Sequence, residues 1–140
     1  MKTVKVKSEA LEVNLADYHV DVAIDPKYDA LYEAMSQYFG IREGVTTFLE
    51  ELSHPYKNWR FIVQEARGYC LDYFHQMRRH PNGAEAAGLF VEIFLTAIEN
   101  SDDPGTRGDA VDNLLLFIQK IIREAGDDIE VLMPAVRQAF

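Results

Sequence analysis

Apolar residues recur every three or four positions from residue 25 to residue 140, and this periodicity constrains the fold more than any other feature. Such spacing is typical of amphipathic helices, because 3.6 residues complete one helical turn. The apolar runs are separated by residues that start or stop helices, namely Asp25-Pro26, Gly40, His54-Pro55, residues 80–83 and Gly126. We therefore expect residues 25–140 to form an all-α domain of five or six helices.

The helix that begins after Asn58 is expected to be the longest. Asn58 can cap a helix that runs to the break at His80, and further helices are expected at about 84–99 and 107–125. Short connections make such neighbours antiparallel, so we expect an antiparallel bundle or a short HEAT-like solenoid. The residues expected on the apolar face of the helix at 107–125 are Val111, Leu114, Leu115, Ile118, Ile121 and Ile122, with Phe117 widening that face.

Residues 1–24 follow a different pattern, in which Val20, Val22 and Ile24 alternate with other residues at a period of two. This pattern predicts an extended arm or short strands, which need a surface to lie on because a lone hairpin is marginal in water. The arm therefore packs on the helical body or on a second copy, so a homodimer is one open alternative. The apolar end at Phe140 suggests a fragment of a longer chain.

Composition excludes several classes of protein. The length of 140 residues predicts one domain, and a net charge of −9 argues against nucleic-acid binding, which needs a positive surface. No stretch is long and apolar enough to span a membrane, and the N-terminus lacks a secretory apolar region. A single cysteine fits a reducing compartment, so we expect a cytoplasmic location.

One segment is basic although the chain is acidic. Residues 57–80 hold five basic and two acidic residues, between segments in which acidic residues predominate. We name the residues along one side of this predicted helix the basic stripe: Lys57, Arg60, Arg67, His75 and Arg78. The stripe either pairs with neighbouring acidic helices, in which case Asp109 or Asp112 would hold an arginine, or it binds an anion or an acidic partner.

No catalytic motif stands out in the sequence. Cys70 lies on an apolar helix face, which predicts a buried and inert thiol. Asp72 and His75 are spaced as two metal ligands could be, but the further ligands of a helical metal site are missing. We therefore predict no catalytic, cofactor or metal residue in this chain.

Several segments form a recognisable combination: NLADYHVDV at 14–22, IDPKY at 24–28, HPYKNW at 54–59, EAR at 65–67, LDYFH at 71–75 and DAVDNLLLF at 109–117. Together they resemble the helical N-terminal region of bacterial phosphoenolpyruvate synthase or pyruvate, phosphate dikinase-like proteins. The resemblance covers most of residues 10–140.

The resemblance implies a docking or assembly module without its own activity. The resembled enzymes phosphorylate pyruvate with ATP and magnesium. Their catalytic steps take place on other domains, which this stretch of 140 helical residues does not include. No catalytic residue is therefore assigned to this chain from the resemblance. The partners it implies are catalytic domains of the same polypeptide. The alternative is a stand-alone HEAT-like adaptor that binds an acidic protein through the basic stripe.

Overall fold

The computed structural model describes residues 23–37 and 39–140, and within them the chain is helical without a β-strand. The predicted all-α bundle is confirmed. The predicted extended arm lies outside the described residues, except for Ala23 and Ile24, which have no regular structure. The helices are α1 (Asp29–Met35), α2 (Phe39–Ser53), α3 (Trp59–Arg67), α4 (Phe74–Arg79), α5 (Gly83–Asn100), α6 (Pro104–Glu124) and α7 (Ile129–Ala139).

Helix α5 is the centre of the bundle, and it packs against α1, α3, α4, α6 and α7. It is buried on more than one side, because apolar residues around most of its circumference are buried. Phe117 of α6 joins the core by edge-to-face contacts with Phe90, at 6.0 Å between ring centroids, and with Phe74, at 6.3 Å. Such aromatic pairs add to the stabilisation from buried area.

The start of the helical domain is as predicted, but its first break is not. The Asp25 carboxylate accepts a hydrogen bond from the backbone N–H of Lys27, and Pro26 opens a 3-10 turn that leads into α1. The expectation that Gly40 stops this helix is wrong. Helix α1 ends at Met35, and Gly40 is the second residue of α2, which ends at Ser53 just before His54-Pro55.

The helix predicted between Asn58 and His80 is divided into two. Asn58 caps α3 as expected, but a π-helical turn at Gly68–Asp72 separates α3 from α4. A π turn accommodates an extra residue and rotates the following residues relative to a regular α-helix. The residues of α4 therefore leave the helix at angles that a continuous helical wheel does not predict.

The last two helices have well-defined ends. The Asp103 side chain accepts hydrogen bonds from the backbone N–H groups of Gly105 and Thr106 and caps α6. Gly126 follows α6 with φ of +58°, a left-handed conformation that glycine adopts without a Cβ clash. The proline at 134 predicts a break or a fresh first turn, but this prediction is wrong, because Pro134 lies inside α7.

Candidate functional site

The basic stripe is the candidate site that the sequence predicts, and its residues lie on α3, on α4 and in the loop before α3. Arg67, at the end of α3, donates a hydrogen bond from Nη1 to the Oδ1 atom of Asn113 on α6 at 3.0 Å. Asn113 is buried, whereas Asp109 and Asp112 are exposed on the same helix. The expected tie between an arginine and α6 thus exists, but the acceptor is the amide of Asn113 and neither predicted carboxylate.

Arg78, on α4, forms hydrogen bonds at the C-terminal end of α6. Its Nη1 atom donates to the carbonyl oxygen of Ala125 at 2.5 Å and lies 3.2 Å from Oδ2 of Asp128. The side chain is 14% exposed, and its Nε atom is buried without a hydrogen-bond partner among the described residues. A cation at a helix C-terminus is stabilised by the unpaired carbonyls there. The guanidinium of Arg78 therefore has a structural role.

His75 belongs to a small surface network with α6. Its Nε2 atom lies 3.1 Å from Oε1 of Glu124, and Nζ of Lys120 lies 3.2 Å from the same oxygen. The hydrogen bond from Lys120, helped by His75, holds the pKa of Glu124 below its usual value. His75 thus faces an acidic partner within the chain.

The first two residues of the basic stripe, Lys57 and Arg60, lie near the start of α3. Nζ of Lys57 donates to the carbonyl oxygen of His54 at 3.0 Å. Arg60 is exposed, and its charge helps to lower the pKa of Asp103, which Thr106 lowers most. The five predicted residues therefore do not form one unpaired basic surface.

The remaining sequence-derived candidates are structural as well. Cys70 is fully buried in the π turn, and burial raises the pKa of its thiol, which agrees with the predicted inert thiol. In the described part of the chain no group of three or more His, Cys, Asp or Glu side chains is placed to hold a metal ion. None of the described helices is long and apolar enough to cross a membrane.

A row of exposed apolar side chains lies along α6. Val111, Leu115 and Ile122 are 40%, 54% and 58% exposed, and Ile118 between them is partly buried. The steps of four, three and four residues place these side chains on one side of the helix. We name this set the outer face of α6.

The outer face corrects the prediction that these residues share the buried stripe of the helix. Only Leu114, Phe117 and Ile121 of that predicted set are buried. Helix α6 packs against α3, α5 and α7. Of the outer face, only Ile118 packs against the core, and Val111, Leu115 and Ile122 stay exposed. The sequence carries one sign of this exposed face, which is the number of apolar residues. The seven residues predicted for the apolar stripe are too many for a single face of one helix.

Two exposed charged residues flank the outer face on one side. Asp112 follows Val111 near the N-terminal end of the face, and Arg123 follows Ile122 at its C-terminal end. Neither side chain makes a hydrogen bond or salt bridge with another described residue. A strip of apolar side chains with charged residues at its edge is typical of a protein-binding surface.

Comparisons with protein-family models, with curated proteins and with solved structures found no match to this chain.

Proposed function

We propose that this chain is a non-catalytic helical docking and assembly module, resembling the N-terminal region of a phosphoenolpyruvate synthase-like phosphotransferase. The observation that carries the proposal is the outer face of α6, where three large apolar side chains are at least 40% exposed. Burying such side chains against a partner is favourable by about 25 cal/mol for each Å² of apolar surface. The sequence resemblance supplies the kind of parent protein.

Docking through the outer face is tested by changing that face in the full native protein. Leu115→Glu with Ile122→Glu puts two carboxylates on exposed positions, so the fold is retained while an apolar contact is lost. We expect the native mass of the assembly, measured by gel filtration with light scattering, to fall. A matched control carries Gln64→Glu on α3 and Gln138→Glu on α7, which add the same charge at exposed polar positions on other helices. An unchanged mass for a folded Leu115→Glu, Ile122→Glu variant contradicts the proposal.

The absence of catalysis in this module has its own test. The isolated chain is incubated with ATP, pyruvate and magnesium ions, which are the reactants and metal of the resembled enzymes. We expect no release of phosphate or AMP above the blank. Release that scales with the concentration of the chain contradicts a non-catalytic module.

The adaptor alternative has less support from the geometry. Arg67, His75 and Arg78 each contact α6 or the turn that follows it, so a partner would have to compete for them. Lys57→Glu with Arg60→Glu tests what remains of the basic stripe. Retained binding of an acidic partner by this variant excludes the stripe as the interface.

A further inference from the structure

The outer face of α6 has the pattern of a helix–helix seam. Val111, Leu115, Ile118 and Ile122 are separated by four, three and four residues, as in a coiled-coil interface, where alternating steps of three and four keep one side toward the partner helix. The face extends about 16 Å along the helix, at 1.5 Å per residue. A second helix lying along α6 can therefore cover all four side chains.

The two charged residues that flank the outer face indicate which charges a partner helix must carry. Asp112 and Arg123 are eleven residues apart, which is about three turns, so both lie on the same side of the outer face. One end of the face therefore carries an unpaired acid, and the other end carries an unpaired base. A helix that complements this surface has a base opposite Asp112 and an acid opposite Arg123.

Helix α6 itself meets this requirement when it runs in the opposite direction. In an antiparallel pair related by a two-fold axis, Val111 lies opposite Ile122 of the second copy, and Leu115 lies opposite Ile118. In the same register Arg123 of the second copy lies two residues, about 3 Å along the helix, from the position opposite Asp112, which its long side chain can span, and this pairing occurs twice in each dimer. A parallel pair would instead place these flanks on opposite sides of the seam, so neither ion pair would form.

We propose that the outer face of α6 binds a second copy of this chain as an antiparallel α6–α6 pair, closed by two Asp112–Arg123 ion pairs. This inference rests on the proposed docking function and names its partner. The apolar strip is short, and both copies carry a net charge of −9. We therefore expect a weak dimer that forms only at high protein concentration. A two-fold contact of this kind uses the same surface on both copies.

The test uses two charge-reversal variants of the full chain, Asp112→Arg and Arg123→Glu. Each variant alone places equal charges opposite one another, whereas an equimolar mixture restores two opposite-charge pairs in a heterodimer. The mass is measured by sedimentation equilibrium from about 1 μM to about 1 mM. The wild-type chain is expected to reach twice the monomer mass of 16.0 kDa. Each variant alone is expected to dimerise about tenfold more weakly, and the mixture is expected to recover the dimer.

Glu33→Arg on α1 and Arg79→Glu on α4 are the matched controls, because they make the same charge changes at exposed positions on other helices. They are expected to leave the wild-type dimer unchanged. A wild-type chain that stays monomeric at every concentration overturns the self-pairing, as does a mixture that does not recover the dimer. A lower native mass for the Leu115→Glu, Ile122→Glu protein would then still support docking, onto a different partner.

Discussion

The guanidinium of Arg67 on α3 donates a 3.0 Å hydrogen bond to the buried amide oxygen of Asn113 on α6. This contact joins α3 to α6 through two residues that are 46 positions apart in the sequence. It also places Asn113 on the inner side of α6, one residue from the exposed Asp112. The contact therefore helps to set which side of α6 faces the solvent.

Removing Arg67 is expected to leave the buried amide of Asn113 without its donor. The Arg67→Ala variant should lose about 1–3 kcal/mol of free energy of unfolding, the usual cost of an unsatisfied buried polar group. Urea unfolding followed by circular dichroism measures this loss. Adding Asn113→Leu to Arg67→Ala should recover part of it, because no polar group is then left unpaired. A double variant that is less stable than Arg67→Ala would contradict the assigned role of the amide.

The Arg78 guanidinium is expected to stabilise the end of α6. Arg78→Met keeps much of the apolar stem but loses the bonds to the Ala125 carbonyl and to Asp128. Hydrogen bonds to charged groups contribute about 1.5–3 kcal/mol, so the free energy of unfolding should fall by that amount. Arg79→Met, at the exposed next position, is the control and should change stability by less than about 0.5 kcal/mol. Equal effects of the two substitutions would rule out a special role for Arg78.

Two glycines should respond to alanine in opposite directions. A Cβ atom at Gly83 would lie 2.1 Å from the carbonyl oxygen of Met77, whereas one at Gly108 would meet nothing within 4 Å. Gly83→Ala should therefore cost about 1–3 kcal/mol, as overpacked core substitutions do. Gly108→Ala, inside α6, should add about 0.5–1 kcal/mol, because alanine favours a helix. Thermal unfolding distinguishes the two, and a stabilised Gly83→Ala protein would contradict the close backbone approach.

The cap of α6 should weaken in acid. The Thr106 hydroxyl, together with the N–H groups of Gly105 and Thr106, holds the pKa of Asp103 below its ordinary value of 3.8. A carboxylate with a lowered pKa stabilises the fold above its unfolded pKa, and it loses this contribution as the pH falls through the folded pKa. The stability of the wild type relative to Asp103→Asn should therefore be constant above about pH 5 and should shrink below 3.8. A difference that grows on acidification would refute this assignment.

The sequence predicted the helical fold well, because burial follows the 3.6-residue period in every long helix. Leu31, Phe48, Phe74, Phe94 and Leu132 follow the apolar period of their helices, and all are buried. This agreement comes from local periodicity, which depends on one helix at a time.

The candidate site was harder to predict, because it depends on how the helices face one another. The apolar residues of α6 exceed what one face needs, and the sequence does not reveal which of them its neighbours cover. The π turn at Gly68–Asp72 also rotates the side chains after it, so His75 and Arg78 do not continue the line of Arg60 and Arg67. The basic stripe was therefore defined on a continuous helix that is not present.

The most direct test of the docking surface is the labelling rate of a cysteine placed at residue 115. Cys70 is the only native cysteine and is buried, so Leu115→Cys introduces one accessible thiol. Labelling of the Leu115→Cys variant with a maleimide is compared between the dilute purified chain and the same variant of the full protein in cell extract. Glu99→Cys, at the exposed end of α5, is the control in both samples. We predict rapid labelling of the dilute chain and protection in the extract at residue 115 but not at residue 99. Equal labelling of residue 115 in both samples would contradict a docking role for the outer face of α6.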